Sequence, residues 1–249
     1  MALSVAIITY NEEKNIERCL KSVVPISDDI VVVDSFSTDN TRAICAKYNV
    51  KVVQHKFEGY GTQRQLATQH TKHTYVLSLD ADEELSPELQ QSILDISRNL
   101  KATCYSFDLR NHYCNQFIRY CGWYPNTKIR LYNKRELDWN TNSVHETIDT
   151  NNQHTIVHLT GYLNHYTCAS ISQHWEKEKK YALIAAEALA KKGKPICILL
   201  PYLKSAFKFI KIYIIKLGFL DGYYGYVISK TLAYSTFLKY QQARRILTR

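Results

Sequence analysis

Along the first hundred residues, unbroken apolar runs alternate with segments whose apolar positions recur at three and four. The runs at 4–9, 30–34, 51–54 and 75–79 read as strands, and runs this continuous suit strands buried on both faces. Between the first two, Ile16, Cys19, Leu20 and Val23 fall at i, i+3, i+4 and i+7, which predicts a helix starting after Asn11, a good N-cap. Helical patterns also cover about 40–48 and 62–72. Strands alternating with helices make βαβ units, hence an α/β fold with a mostly parallel central sheet and flanking helices. Ligands of such sheets bind beyond the carboxyl ends of the strands. The informative polar residues gather there: Thr9 and Glu12 after the first strand, Asp34 closing the second, Asp80 and Asp82 closing the fourth.

From 101 to 167 the pattern changes to short strand-like pieces rich in Tyr, Asn and His. Beyond 170 it is helical, over 173–192, then a lysine-spaced apolar run at 196–220, then from 222 onward. The expected division is a catalytic-type domain over 1–169, in halves 1–100 and 101–169, and a helical region over 170–249.

Charge sharpens that division. The chain of 249 residues carries a net +9, and residues 170–249 hold 15 Lys+Arg against 4 Asp+Glu. The other 169 residues hold 17 against 19, a net −2, so all the excess positive charge sits in the last third. Such asymmetry points to an anionic partner there, a nucleic acid or a membrane surface. Seven cysteines without CxxC pairs suit a reduced cytosolic protein and exclude a cysteine-rich zinc site. The start, MALSVAIITY, has no basic stretch before its apolar run and predicts no signal peptide.

The stretch LSLDADEEL lays an apolar strand straight into four acids within five residues. On an extended chain Asp80 and Asp82 share one face. Paired carboxylates raise each other's pKa unless something positive lies between them, and a divalent cation is the usual solution. The bland alternative is a solvated turn before a helix, since Ser86-Pro87-Glu88 offers an N-cap, a first-turn proline and a dipole-friendly acid. His154 and His158 are four apart, but the TIV between them favours a strand and no HExxH is present, which argues against zinc.

Four stretches, AIITYNEEKNIERCLKSV, IVVVDSFSTDNTRAIC, GYGTQRQLA and YVLSLDADEEL, resemble in order and spacing the N-terminal half of the family 2 inverting glycosyltransferases, which have the GT-A fold. GWYPNTKIRLYNK followed by NSVHETI is similar to the lipopolysaccharide inner-core branch, whose members add a β-linked glucose to an inner-core heptose. Two departures stand out. Phe36 occupies a place where the family usually has a small residue, and the Gln-x-x-Arg-Trp signature of processive synthases is missing after the presumed base. Single-sugar transfer is therefore expected over polymerisation.

The resemblance makes 1–100 the nucleotide-sugar half and 101–169 the acceptor half. It implies that Asp34 hydrogen-bonds the uracil or its ribose, that Glu12 and Thr9 contact the nucleotide, and that Arg64 lies near the diphosphate. Asp82 would bind Mg²⁺ or Mn²⁺ directly, with Asp80 on the ribose or on the metal through water. Glu146 would be the general base, with Asp138 as the alternative; neighbours on a strand point oppositely, which argues against His145 orienting it. Trp123 and Tyr124 offer flat faces to an acceptor sugar, and Lys128 with Arg130, two apart on one strand face, would hold acceptor phosphates. Each residue also has an ordinary structural role to play: an Asx-turn for Asp34, a first-turn acid for Glu12, burial for Thr9, a surface arginine for Arg64, packing for Trp123 and solvated loop acids for Glu146 and Asp138.

The donor is then a UDP-sugar and the acceptor a lipid-linked saccharide at the inner face of the cytoplasmic membrane. Lys204, Lys208 and Lys211 fall on one side of a helix, which suits an interfacial segment with Phe207, Ile210, Ile214 and Leu217 facing acyl chains or the catalytic domain. Competing readings are a nucleic-acid-binding protein using the basic aromatic tail, and a catalytically inactive GT-A scaffold. The first leaves the strand-end acids without work, and intact Asp80, Asp82 and Glu146 count against the second.

Overall fold

The computed structural model describes residues 3–140, 146–148, 150 and 154–248. Four strands, β1 (Leu3–Thr9), β2 (Asp29–Asp34), β3 (Lys51–Gln54) and β4 (Tyr75–Asp80), run parallel in the order β3-β2-β1-β4. Between them lie α1 (Ile16–Val23), α2 (Thr41–Cys45) and α3 (Tyr60–Gln69). Every residue of β1 is buried, because the strand feeds two cores. Val5 and Ile7 pack with Ile16, Leu20 and Val23 of α1, while Ala6 and Ile8 pack on the other face with Val33, Ala67 and Val76. That is why the run is continuous rather than alternating.

The helix expected to start after Asn11 begins four residues later, at Ile16. Asn11 adopts a left-handed conformation (φ 54°), and its Oδ1 accepts the Thr38 N–H at 2.8 Å. Asparagine tolerates that conformation better than most residues, so its short amide serves a tie between two loops instead of a cap. Ser86 behaves as its sequence suggests. Its hydroxyl accepts the Leu89 N–H and caps α4 (Pro87–Ser97), and it also accepts from Tyr162 N.

Past β4 the chain adds β5 (Glu83–Leu85), β6 (Cys104–Tyr113), β7 (Gln116–Phe117), β8 (Thr127–Asn133) and β9 (Ile156–Cys168). β8 joins β4 antiparallel, β6 joins β8, and the path continues through β9 to β5, with β7 paired to β6. Opposite Tyr105 and Ser106 stand Leu131 and Ile129, so Arg130 is an extra residue in β8, a bulge.

The chain forms two compact units, 1–109 with 126–165, and 110–125 with 166–249. The boundary expected after residue 169 thus lies inside the second unit, which also takes in an excursion from the middle of the chain. The physical reason is packing: Tyr113, Ile118 and Cys121 share a core with Ile212, Val227 and Ile228. Asp221 adds a polar tie, accepting the N–H groups of Arg119 at 3.0 Å and Tyr120 at 2.8 Å.

In the second unit α5 (Ile171–Ala190) and α6 (Leu200–Ile210) both pack on α7 (Gly222–Leu247). The apolar run at 196–220 is not one helix. α6 widens into a π-turn at Lys211–Ile215, Leu217 turns left-handed, and a 3₁₀ turn at Gly218–Asp221 leads into α7. Leu203, Phe207, Ile215 and Leu220 are exposed along it, and Tyr223 is exposed at the start of α7. Among the described residues, no helix is long and apolar enough to cross a membrane.

Candidate functional site

Parallel register brings the two strand-end acids to the same end of the sheet on either side of β1: Thr9 pairs with Asp34, and Ile8 with Asp80. Asp34 is fully buried. Its Oδ2 accepts from Ser37 N at 3.0 Å and from Gln54 Nε2 at 3.4 Å, while Oδ1 has no partner. The neighbouring Thr9 hydroxyl is buried and unpartnered too. Buried polar atoms are almost always hydrogen-bonded, so two adjacent exceptions at a strand end leave bonding capacity that a ligand would complete. Phe36, two residues on, is held at φ 61° with its side chain 54% exposed, so its bulk is not accommodated in the core. A left-handed non-glycine residue of this size stores strain, which concentrates at functional sites.

Arg64 is not a surface arginine. It is 2% exposed on α3, and its Nη2 donates to Asp80 Oδ2 at 2.8 Å. Asp80 Oδ1 lies 2.7 Å from the same nitrogen without a hydrogen bond directed at it. Burial works against the Asp80 charge, but Arg64, Arg130 and His165 outweigh it and hold the carboxyl down to about 2. Glu146 enters the same neighbourhood, with Oε1 3.9 Å from Arg64 Nη2. His145 beside it lies outside the described residues. Asp138, the alternative base, is exposed, bonds the Trp139 N–H at 2.8 Å, and is pushed up by partial burial.

Asp80 and Asp82 do not share an extended face. β4 ends at Asp80 and the chain turns through Ala81 and Asp82, so Asp80 meets Arg64 and Asp82 meets His165, with Nε2 3.3 Å from Asp82 Oδ2. Burial pulls the His165 pKa down, and its bond to Asp82 with the charges of Glu83 and Asp80 raises it overall. Glu12 bonds the Asn15 amide at 2.7 Å; burial, then the charges of Asp82, Asp39 and Asp80, push its pKa up. Three carboxylates that feel one another suit a hard cation. Among the described residues no group of three or more metal-binding side chains closes around one point. Asp80 and Asp82 are hard oxygen donors of the kind Mg²⁺ or Mn²⁺ takes, and such an ion would need further oxygens from outside this pair.

Arg130 departs from its expected role. The bulge turns it out of step with exposed Lys128 and into the interior, where Nη2 bonds Glu83 Oε1 at 2.7 Å and lies 3.4 Å from Asp80 Oδ2. Engaged by two acids, it positions Asp80 rather than waiting for an acceptor phosphate. Trp123 and Tyr124 belong to the second unit. Trp123 packs edge-on to Tyr113 with its carbonyl accepting from Asn111, and Tyr124 lies against Phe117.

Three residues of the site escaped the sequence. Glu83 is buried, bonds Arg130, and takes the Asp80 N–H at 2.8 Å. Burial pushes its carboxyl up despite Arg130. The signal was there: Ala81, Glu83 and Leu85 alternate, and all three are buried. His165 and Trp139 gave no local signal, because only the folded chain brings them near Asp82 and Arg64.

A family model described as Glycosyl transferase family 2 matches residues 4–153. A Rickettsia typhi protein named as an uncharacterized glycosyltransferase is 33% identical over 98% of this chain and 87% of its own. The lipopolysaccharide core biosynthesis glycosyltransferase LpsC of Rhizobium meliloti is 31% identical over 39% of this chain and 37% of its own. Among solved structures, S. aureus TarS 1–349 in complex with UDP covers 100% of this chain and 90% of that chain, at 16% identity and a TM-score of 0.47.

Proposed function

The chain belongs to glycosyl transferase family 2, and on that premise we propose that it moves one hexose, glucose from UDP-glucose, to a lipopolysaccharide inner-core heptose with inversion. Transferase activity and the GT-A-type α/β fold come with membership. The donor, the acceptor, the cation and the base are the proposal. One observation carries it: the unpartnered oxygens of Thr9 and Asp34 and the acids Asp80 and Asp82 stand at the carboxyl ends of three adjacent parallel strands.

Asp34 Oδ1 accepts from the uracil or the ribose, Thr9 and Glu12 line the same end, and Arg64 faces the diphosphate. Asp82 and Asp80 would hold Mg²⁺ or Mn²⁺, which would supply charge stabilisation to the departing nucleoside diphosphate. Glu146, 22% exposed, takes the proton from the acceptor hydroxyl. As the acceptor oxygen bonds to the anomeric carbon, the bond to the diphosphate breaks and its electron pair leaves with UDP. A leaving group stabilised this way needs no proton, so one base suffices. Trp123, Tyr124 and Lys128 keep the acceptor roles the resemblance assigns them. The partial likeness to LpsC supports the lipopolysaccharide acceptor. A lipid-linked acceptor in turn supports attachment to an anionic membrane surface through the lysine-bearing apolar segment of α6 and the turns after it.

Calorimetric titration with UDP, with and without Mn²⁺, beside Asp82→Ala, tests the site. Metal-dependent binding that the variant lacks is expected, followed by turnover of UDP-glucose in preference to UDP-galactose. A folded protein that binds no UDP under either condition overturns the proposal.

A further inference from the structure

Trp139 lies outside every strand and helix, yet it is 5% exposed and stands against both guanidiniums of the site. The Arg64 guanidinium carbon stands 4.6 Å from the centre of its ring, and that of Arg130 stands 5.6 Å from it. Both distances fall within cation–π range. Each guanidinium leaves its Nε without a hydrogen bond. Among the described residues Arg130 is anchored through Nη2, and Arg64 through Nη2 with one 3.5 Å contact from Nη1 to Ser78. A planar group bonded mainly at one nitrogen can still pivot, and the indole face lies within cation–π reach of both.

The backbone of Trp139 reaches the third charged group. Trp139 bridges Ile148, and Asn140 N donates to Thr147 O at 3.0 Å, with Asn140 Nδ2 on Thr147 Oγ1 at 2.9 Å. This short ladder sets the residue next to Thr147, which is Glu146. The Trp139 carbonyl is itself held by Gln65 Nε2 at 2.6 Å, one residue from Arg64 on α3. The edge of Tyr132 closes on the ring at 6.4 Å between centroids.

We propose that Trp139 is a positioning residue of the donor site, whose indole orients both guanidiniums around Asp80 and whose bridge to Ile148 brings Glu146 to the same arginine. It rests on the assignment of Arg64 and Asp80 to the diphosphate end of a UDP site. In this arrangement the ring acts on the diphosphate end through Arg64, with Arg130 and Asp80 behind it, and not through the uridine end. A core tryptophan with no such role would, when altered, disturb the uridine end and the diphosphate end alike.

The test separates the two ends. UDP binding in Mn²⁺ is measured by calorimetry and uridine binding by saturation-transfer NMR, for wild type, Trp139→Phe and Trp139→Leu. The leucine variant is expected to weaken UDP about tenfold and uridine by less than about twofold, with phenylalanine keeping most of the UDP affinity. Fluorinated tryptophans placed at position 139 alone supply a second series that keeps ring and shape while draining the negative face. UDP affinity should fall stepwise with each added fluorine. Equal weakening of UDP and uridine, or a flat fluorine series, overturns the proposal. A wild-type protein that binds neither compound overturns the UDP assignment itself, and this inference with it.

Discussion

Arg64 stands between two acids of different assignment, its Nη2 2.7 Å from Asp80 Oδ1 and 3.9 Å from Glu146 Oε1. One buried guanidinium thus links the residue proposed to serve the cation and the residue proposed to take the proton. The ammonium of a lysine is a compact point charge and cannot reproduce a planar fork at two directions. Arg64→Lys is expected to leave the protein folded and to weaken UDP binding about tenfold or more, read by calorimetry. Unchanged affinity would show that charge alone suffices at this position.

Asp80 also sets the response to acid. Its carboxyl is held at about 2 against an ordinary 3.8, because Arg64 and Arg130 outweigh burial. A carboxyl lowered in the folded state adds stability that is full above its unfolded pKa and is lost as pH falls through the folded one. Wild type should therefore lose stability between about pH 4 and pH 2. In Asp80→Asn that acid limb should flatten while stability at pH 7 falls, since two guanidiniums lose a partner. Urea titrations across that pH range decide it, and an unchanged acid slope would remove Asp80 from the explanation.

Glu83 faces Arg130 in the interior. Deleting one partner of a buried pair strands the other charge, which costs about 3–5 kcal/mol. Glu83→Ala should lower the unfolding free energy from urea titration by that much, and Glu83→Gln, which keeps one acceptor, by about 1–3 kcal/mol. Equal, small effects from both would mean that Arg130 finds water.

Gly161 in β9 has φ +99°, and a Cβ built there would stand 2.3 Å from Leu89 N and 2.6 Å from its Cα. Both atoms are backbone of α4, with little room to retreat. Gly161→Ala is expected to destabilise by more than about 2 kcal/mol, visible as a fall of several degrees in the thermal midpoint. A melting curve that matches wild type would show that the strand and helix can part without loss.

The exposed apolar residues of the second unit carry the membrane proposal. Sedimentation with vesicles of anionic phospholipid should capture the protein, with vesicles of phosphatidylcholine capturing far less. Each lysine near such a surface contributes about 1 kcal/mol, so Lys204→Gln with Lys211→Gln should weaken capture roughly thirtyfold. Phe207→Asp should weaken it as well. Capture insensitive to lipid charge and to all three changes would send the exposed surface to a protein partner.

The first four strands were legible because burial on both faces leaves a run of apolar residues that needs no partner to be recognised. Ser86 was legible for a similar reason, since a capping serine acts within three residues of itself. Asn11 was misleading: the same side chain that caps helices also ties loops, and its choice depends on Thr38, remote in sequence. The bulge at Arg130 is a property of two strands together, so spacing within β8 alone placed Lys128 and Arg130 on one face. The acids at strand ends were found by position, whereas the pairing of Asp80 with Arg64 and Arg130, and of Asp82 with His165, depends on contacts across the fold.

The carboxylate of Asp221 holds the N–H groups of Arg119 and Tyr120, 102 and 101 residues earlier in the chain. On the ribosome that separation becomes time. At about 5–20 residues per second, those two amides wait roughly 5–20 s for their acceptor to be made. Over that interval the excursion at 110–125 lacks the core it shares with Ile212, Val227 and Ile228, and the second unit closes only once those residues have been made.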